Sequence, residues 1–144
     1  MKVLVVCHGA INRSPFVACI IRQLRPNWEV KVAGLKATPN RSASRKAREA
    51  ARAIGLSLEN HRSTLATADL VQWSQITLYM DGGNEKRLRA LVTPEVFASR
   101  CQLLADYGSV RRVPDPNYES DPNRLAEMFA IAELCTTKFL EKYP

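Results

Sequence analysis

The chain has 144 residues, 21 basic against 14 acidic residues for a net charge of +7, and 46% hydrophobic residues. This composition excludes a disordered chain, and no run of about 20 apolar residues predicts a membrane span. The length suits one core, so we expect residues 1–144 to form a single domain of a cytoplasmic protein. Its basic surface is expected to attract anions.

Predicted strands and helices alternate along the chain. A buried β-strand is predicted at residues 2–6, and Ser14-Pro15 predicts a helix start with Ser14 as N-cap. Further strands are predicted at residues 28–33, 76–80 and 101–105. Helices are predicted at residues 16–24, 44–54, 66–72, 85–91, 94–99 and 122 to about 143. This alternation predicts a small doubly wound α/β fold, with four parallel strands flanked by helices on both faces.

The segment after the first strand has the composition of an oxyanion-binding loop. It reads Cys7-His8-Gly9-Ala10-Ile11-Asn12-Arg13-Ser14-Pro15. In a doubly wound fold, ligands bind beyond the carboxyl ends of the strands, where backbone N–H groups and a helix N-terminus attract anions. Arg13 can bind two oxygens with its planar guanidinium, and the positive surroundings favour the thiolate of Cys7. Ser14 can donate a hydrogen bond to that thiolate. We therefore predict a nucleophilic thiolate in a phosphate-binding loop.

A second acidic motif lies far along the chain, in Val113-Pro114-Asp115-Pro116-Asn117-Tyr118. Transfer of a phosphoryl group from an aryl ester needs a proton for the leaving oxygen, and a carboxylic acid on a rigid loop can supply it. Asp-Pro is also an ordinary turn signal. Asp115 is therefore the candidate general acid.

Several motifs together resemble the low-molecular-weight protein tyrosine phosphatases over nearly the whole chain. They are VVCHGAINRSP, VAG, His61-Arg62-Ser63, Ala68-Asp69-Leu70, Met80-Asp81-Gly82-Gly83-Asn84 and VPDP. The resemblance implies a four-stranded parallel sheet and a two-step mechanism without metal or cofactor. Cys7 would attack phosphorus while Asp115 protonates the leaving group and later activates water. Arg13 would carry the phosphoryl charge, and Ser14 would stabilise the thiolate. Substrate contacts are expected from His8, Gly9, Ala10, Ile11, Asn12 and Tyr118.

The loop departs from the family pattern at two positions. The family commonly has Asn where this chain has Ala10, and Cys where it has Asn12. That family Asn holds a strained loop and bonds a histidine that corresponds to His61, so we expect His61 to lose that partner here. A left-handed backbone at Ala10 would cost about 1 kcal/mol or more. We hypothesise that Asn12 compensates.

The expected substrate is a phosphorylated protein or a small phosphoester. Residues 35–40 contain no aromatic residue, and Tyr118 is the one aromatic beside Asp115. This predicts weak or altered selectivity for phosphotyrosine. Neither a metal nor a membrane is expected as a partner, and only the basic net charge points toward nucleic acid.

Two other functions use the same scaffold. One is an arsenate reductase that depends on an external thiol, since residues 80–91 contain no cysteine to resolve an intermediate. The other is a phosphate-binding module with weak or absent catalysis, which the substitution at Ala10 would explain.

Overall fold

Four parallel β-strands form the centre of the computed structural model, which describes residues 1–144. The strands are β1 (Lys2–Cys7), β2 (Glu29–Gly34), β3 (Ile76–Tyr79) and β4 (Cys101–Leu103). Their order across the sheet is β2-β1-β3-β4, and every neighbouring pair is parallel. The carboxyl end of β1, at Cys7, therefore lies inside the sheet beside Gly34 of β2. The predicted doubly wound fold is confirmed.

Six α-helices connect and cover the strands. They are α1 (Arg13–Leu24), α2 (Arg45–Ala53), α3 (Ala68–Trp73), α4 (Gly82–Leu91), α5 (Pro94–Arg100) and α6 (Pro122–Glu141). A 3₁₀ helix, Leu104–Gly108, follows β4 where the sequence predicted that the strand would continue to residue 105. None of the helices combines the length and the apolar character that crossing a membrane would require.

The side chains of β1 are divided between two hydrophobic clusters. Val3 and Val5 pack in a cluster that includes the apolar faces of α1 and α6. Leu4 and Val6 pack on the opposite face with residues of α3, α4 and α5. Successive side chains of a strand point to opposite faces, so an unbroken apolar strand requires helices on both sides. Both cores hold β1 in place and thereby fix the position of the loop that follows it.

The start of α1 differs from the sequence prediction. The helix begins at Arg13, Asn12 occupies the N-cap position, and no side chain caps it. Ser14, which was predicted to be the N-cap, lies in the first helical turn and is completely buried. Its hydroxyl contacts Cys7 rather than a helix N–H group. The N-terminal backbone groups of α1 therefore remain open toward the loop.

Candidate active site

Cys7 and Ser14 lie in contact at the base of the loop between β1 and α1. The Sγ atom of Cys7 is 3.0 Å from the Oγ atom of Ser14, and both residues are buried. β1 fixes the cysteine, whereas the first turn of α1 fixes the serine. This geometry lets the hydroxyl donate a hydrogen bond to a thiolate, as the sequence predicted.

The backbone of the same loop offers an unused set of hydrogen-bond donors. The N–H groups of residues 9–14 donate to no acceptor within the protein. Two of them belong to the first turn of α1, where a helix lacks internal partners for its N–H groups. Buried or enclosed N–H groups nearly always have partners in native proteins, so a ring of free donors marks an anion site. Gly9, Ile11, Asn12 and Arg13 line the same pocket as Cys7.

The guanidinium of Arg13 is fixed by acceptors of the protein itself, without a ligand. Its Nη1 atom donates to Oδ2 of Asp81 at 2.7 Å and to the carbonyl of Val113 at 2.9 Å, and only 3% of its side chain is exposed. The Nη2 atom lies 3.6 Å from Oδ2 of Asp115. Because Nη1 is occupied, the Nη2 and Nε groups are the donors left for an oxyanion.

Asp81 is the site residue whose role sequence reasoning missed. It follows β3 at the same sheet edge as Cys7, and its Oδ1 atom also caps α4 by accepting from the N–H of Asn84. Burial alone would raise the pKa of Asp81, but hydrogen bonds from Arg13 and from the α4 backbone outweigh it and leave the pKa below its ordinary value. Asp81 therefore stays ionised and orients the guanidinium. A carboxylate directly after a neighbouring strand was the signal that could have revealed it.

His61 bonds to the backbone of the loop in place of the asparagine side chain that it was expected to lose. Ala10 adopts the left-handed conformation, with φ of +56°, and its carbonyl oxygen lies 2.6 Å from Nε2 of His61. A carbonyl can only accept, so Nε2–H donates. Burial lowers the pKa of His61, although its bond to Ala10 opposes the shift, and the ring is thus favoured in its neutral form. The imidazole of His61 therefore bonds to the loop backbone, and this bond does not depend on an asparagine side chain at position 10.

The N-terminus of α2 braces the loop from another side. Ser44, the N-cap of α2, donates from its hydroxyl to the side-chain oxygen of Asn12, and its N–H donates to the carbonyl of Ile11 at 2.8 Å. These bonds support the hypothesis that Asn12 compensates for Ala10. Two residues along α2, Nζ of Lys46 donates to the carbonyls of Pro116 and Asn117 at 2.8 and 2.9 Å. One helical turn thus contacts both the anion loop and the segment that carries Asp115.

A pocket of about 220 Å³ opens above Cys7. It is lined by Cys7, His8, Gly9, Ile11, Asn12, Arg13, Lys36, Thr38, Arg41, Asp115 and Asn117. Two predicted contact residues do not line the pocket: Ala10 belongs to the loop but is completely buried, and Tyr118 is 96% exposed. Lys36, Thr38 and Arg41 were not predicted to line it. Their position after β2, at the same sheet edge as Cys7, was the available signal.

Gly34 allows the segment after β2 to approach the loop closely. A Cβ atom at this position would lie 2.8 Å from the nitrogen of Ala10 and 2.7 Å from Cβ of Ala37. The following N–H groups, of Leu35 and Lys36, donate to the carbonyls of Cys7 and His8 at 2.9 and 2.8 Å. Because glycine has no side chain, the segment after β2 can contact the loop through its backbone. A larger residue at position 34 would push the two segments apart.

The other three cysteines lie in surroundings unlike those of Cys7. Cys135 is buried, whereas Cys19 and Cys101 are only partly buried. Burial raises the pKa of the Cys19 and Cys101 thiols to about 11, despite nearby arginines, and also raises the pKa of Cys135. These thiols hold their protons at neutral pH and are poor nucleophiles.

This chain belongs to the low molecular weight phosphotyrosine protein phosphatase family, whose family model matches residues 2–143. Membership makes it a cysteine-dependent phosphatase, and the resemblance seen in the sequence is confirmed.

Individual relatives agree with this assignment over nearly the full length. The low molecular weight protein-tyrosine-phosphatase Wzb of Salmonella typhi is 34% identical over 134 residues, which cover 92% of this chain and 87% of Wzb. The solved structure of the tyrosine phosphatase Wzb from Escherichia coli K30 with sulphate is 26% identical, covers 99% of this chain and 98% of that one, and has a TM-score of 0.91. Vibrio vulnificus Wzb in complex with benzylphosphonate is also 26% identical, covers 98% and 97%, and has a TM-score of 0.88.

Proposed function

We propose that Cys7, Arg13, Ser14 and Asp115 carry out phosphotyrosine-type monoester hydrolysis in this pocket. The observation that supports this most directly is the set of unpaired N–H groups at residues 9–14, in the loop that follows the buried Cys7 and shares its pocket. Donors fixed in advance around a developing phosphoryl charge are the largest single contribution in this type of catalysis. The names of the relatives, which are phosphatases, favour hydrolysis over arsenate reduction.

In the first step the Cys7 thiolate attacks phosphorus, an S–P bond forms and the P–O ester bond breaks. Arg13 binds the equatorial oxygens through Nη2 and Nε, because Nη1 is already held by Asp81 and Val113. Asp115 gives its proton to the leaving oxygen. The carboxyl group of Asp115 is 44% exposed and lines the pocket, so the leaving group can reach it.

In the second step Asp115, now a carboxylate, accepts a proton from water. The water oxygen attacks phosphorus, the S–P bond breaks and inorganic phosphate leaves. Ser14 donates to the departing thiolate across a contact of 3.0 Å, which stabilises the negative charge on sulfur. The starting state of Cys7 is thereby restored.

Hydrolysis of para-nitrophenyl phosphate tests the nucleophile. Wild type should turn the ester over, whereas Cys7→Ser should bind phosphate but show no turnover. Equal rates for the two proteins would contradict the proposal. Phosphate binding without turnover by wild type would instead favour the phosphate-binding module.

A series of aryl phosphates with increasing leaving-group pKa tests the acid. Asp115→Asn should slow the poorest leaving group most, because a good leaving group departs without a proton. Asp69→Asn is the matched control, since it removes an exposed carboxylate from α3 without touching the pocket. Uniform slowing across the series would remove Asp115 from the role of general acid.

A further inference from the structure

One wall of the active-site pocket is basic rather than aromatic. Lys36, Thr38 and Arg41 line it, and all three belong to the segment between β2 and α2. No Phe, Tyr or Trp contributes to the lining, because Tyr118 projects into solvent. The part of a substrate beyond its phosphate therefore meets two cations and a hydroxyl group.

Backbone contacts fix this wall relative to the anion loop. The N–H of Lys36 donates to the carbonyl of His8 at 2.8 Å. The N–H of Arg41 donates to the hydroxyl of Ser63 at 2.8 Å, and the N–H of Ser63 donates back to the carbonyl of Arg41 at 2.8 Å. The backbone of Lys36 and of Arg41 is therefore fixed at the rim of the pocket, whereas their side chains extend into solvent.

Neither cation is neutralised within the protein. The side chains of Lys36 and Arg41 form no ion pair and no hydrogen bond, in contrast to Arg45, which pairs with Glu49. The only acid in the pocket lining is Asp115, which lies near Arg13. Unpaired charges of one sign around a cleft raise its potential and favour ligands of the opposite sign.

We propose that Lys36 and Arg41 form a second anion subsite, which selects phosphotyrosyl peptides with Asp or Glu beside the phosphotyrosine. The proposal rests on the proposed phosphatase function of the same pocket. When the phosphate occupies the loop, the length of the tyrosine side chain leaves the peptide backbone outside the pocket. The flanking side chains then lie at the rim, where the two cations are. An aryl phosphate whose aryl part is uncharged has no group to place there.

Two phosphotyrosyl peptides that differ only in their flanking residues test the subsite. One carries Asp and Glu on either side of the phosphotyrosine, and the other carries Ala at those positions. At low ionic strength kcat/KM should favour the acidic peptide about fivefold, which corresponds to two exposed ion pairs. The preference should shrink at about 0.5 M salt, because salt screens exposed charges.

Lys36→Ala combined with Arg41→Ala should reduce this preference to about one. The matched control is Lys2→Ala combined with Lys138→Ala, which removes the same charge away from the pocket. Lys2 begins β1 at the edge opposite Cys7, and Lys138 lies near the end of α6. The control variant should keep the fivefold preference. Circular dichroism checks that both variants are folded, because Lys2 is half-buried whereas Lys36, Arg41 and Lys138 are exposed.

Three results would overturn the subsite. They are equal kcat/KM for the two peptides in wild type, an equal loss of preference in the control variant, and faster turnover of a small bisphosphate than of either peptide. Failure of the subsite is distinguishable from failure of the phosphatase function. If the Ala-flanked peptide is hydrolysed by wild type but not by Cys7→Ser, the catalytic proposal stands without the subsite.

Discussion

The hydrogen bond from His61 to Ala10 offers the sharpest test of how the anion loop is held in shape. Ala10 lies in the left-handed region, which costs a non-glycine residue about 1–2 kcal/mol. Its carbonyl is buried and has no other donor than Nε2 of His61. Leaving a buried acceptor without its partner costs about 1–3 kcal/mol. The bond is thus comparable in size to the strain that it opposes.

His61→Ala should therefore lower the free energy of unfolding by about 2 kcal/mol. With a typical urea m-value of about 2 kcal/mol/M, the midpoint should fall by about 1 M. The same substitution should lower kcat/KM for para-nitrophenyl phosphate, because the released loop spends less time around the sulfur. Arg62→Ala serves as the control, since its exposed neighbouring side chain does not reach Ala10.

A second substitution separates loop strain from loss of packing. Glycine adopts a positive φ without penalty, so Ala10→Gly in the His61→Ala background should restore part of kcat/KM, by about fivefold if about 1 kcal/mol of strain is relieved. Lost packing around the imidazole would not be restored in this way. Unchanged stability and unchanged kcat/KM in His61→Ala would refute the reasoning, and failure of Ala10→Gly to restore activity would refute the part that concerns strain.

Other contacts of the site give further expectations. Gly34→Ala should lower the free energy of unfolding by about 1–3 kcal/mol, because the new Cβ lies 2.8 Å from the loop nitrogen; a wild-type urea midpoint would contradict this. Lys46→Met should slow cleavage of poor leaving groups several-fold, because Nζ holds the segment that carries the acid, whereas Arg45→Ala should not. The folded-state pKa of Asp81 is lowered, so its stabilisation is present above pH about 4 and is lost as the pH falls further. Urea titrations from pH 5 to 3 should therefore show a smaller loss of unfolding free energy in Asp81→Asn than in wild type.

Periodicity and loop chemistry were enough to predict the sheet and the position of its site. The unbroken apolar run of β1 requires cover on both faces, so it predicted the layers, and the carboxyl end of β1 predicted where an anion would bind. The contact between Cys7 and Ser14 followed from the spacing within one short loop. These features depend on local sequence, which is why sequence alone revealed them.

The contacts that the sequence did not predict are made by the backbone or join residues far apart in the sequence. The hydrogen bond from His61 is accepted by a backbone carbonyl. Every residue has such a carbonyl, so the residue type at position 10 could not predict this bond. Asp81 reaches Arg13 across 68 residues and is recognisable only once β3 is placed beside β1. Ser14 has the residue type of an N-cap, but the N-cap lies two residues earlier, at Asn12, and the Ser14 hydroxyl contacts the sulfur of Cys7. Tertiary packing decided each of these cases.

The fixed guanidinium of Arg13 has a consequence for the end of the catalytic cycle. Because Asp81 and Val113 already hold Nη1, little side-chain entropy is lost when an oxyanion binds. That advantage is not reserved for the ester, since free phosphate presents the same oxygens to the same donors. A rigid site of this kind retains its product as readily as the phosphoryl group of its substrate. The concentration of inorganic phosphate around the enzyme would then set the fraction of enzyme molecules whose site is free to bind substrate.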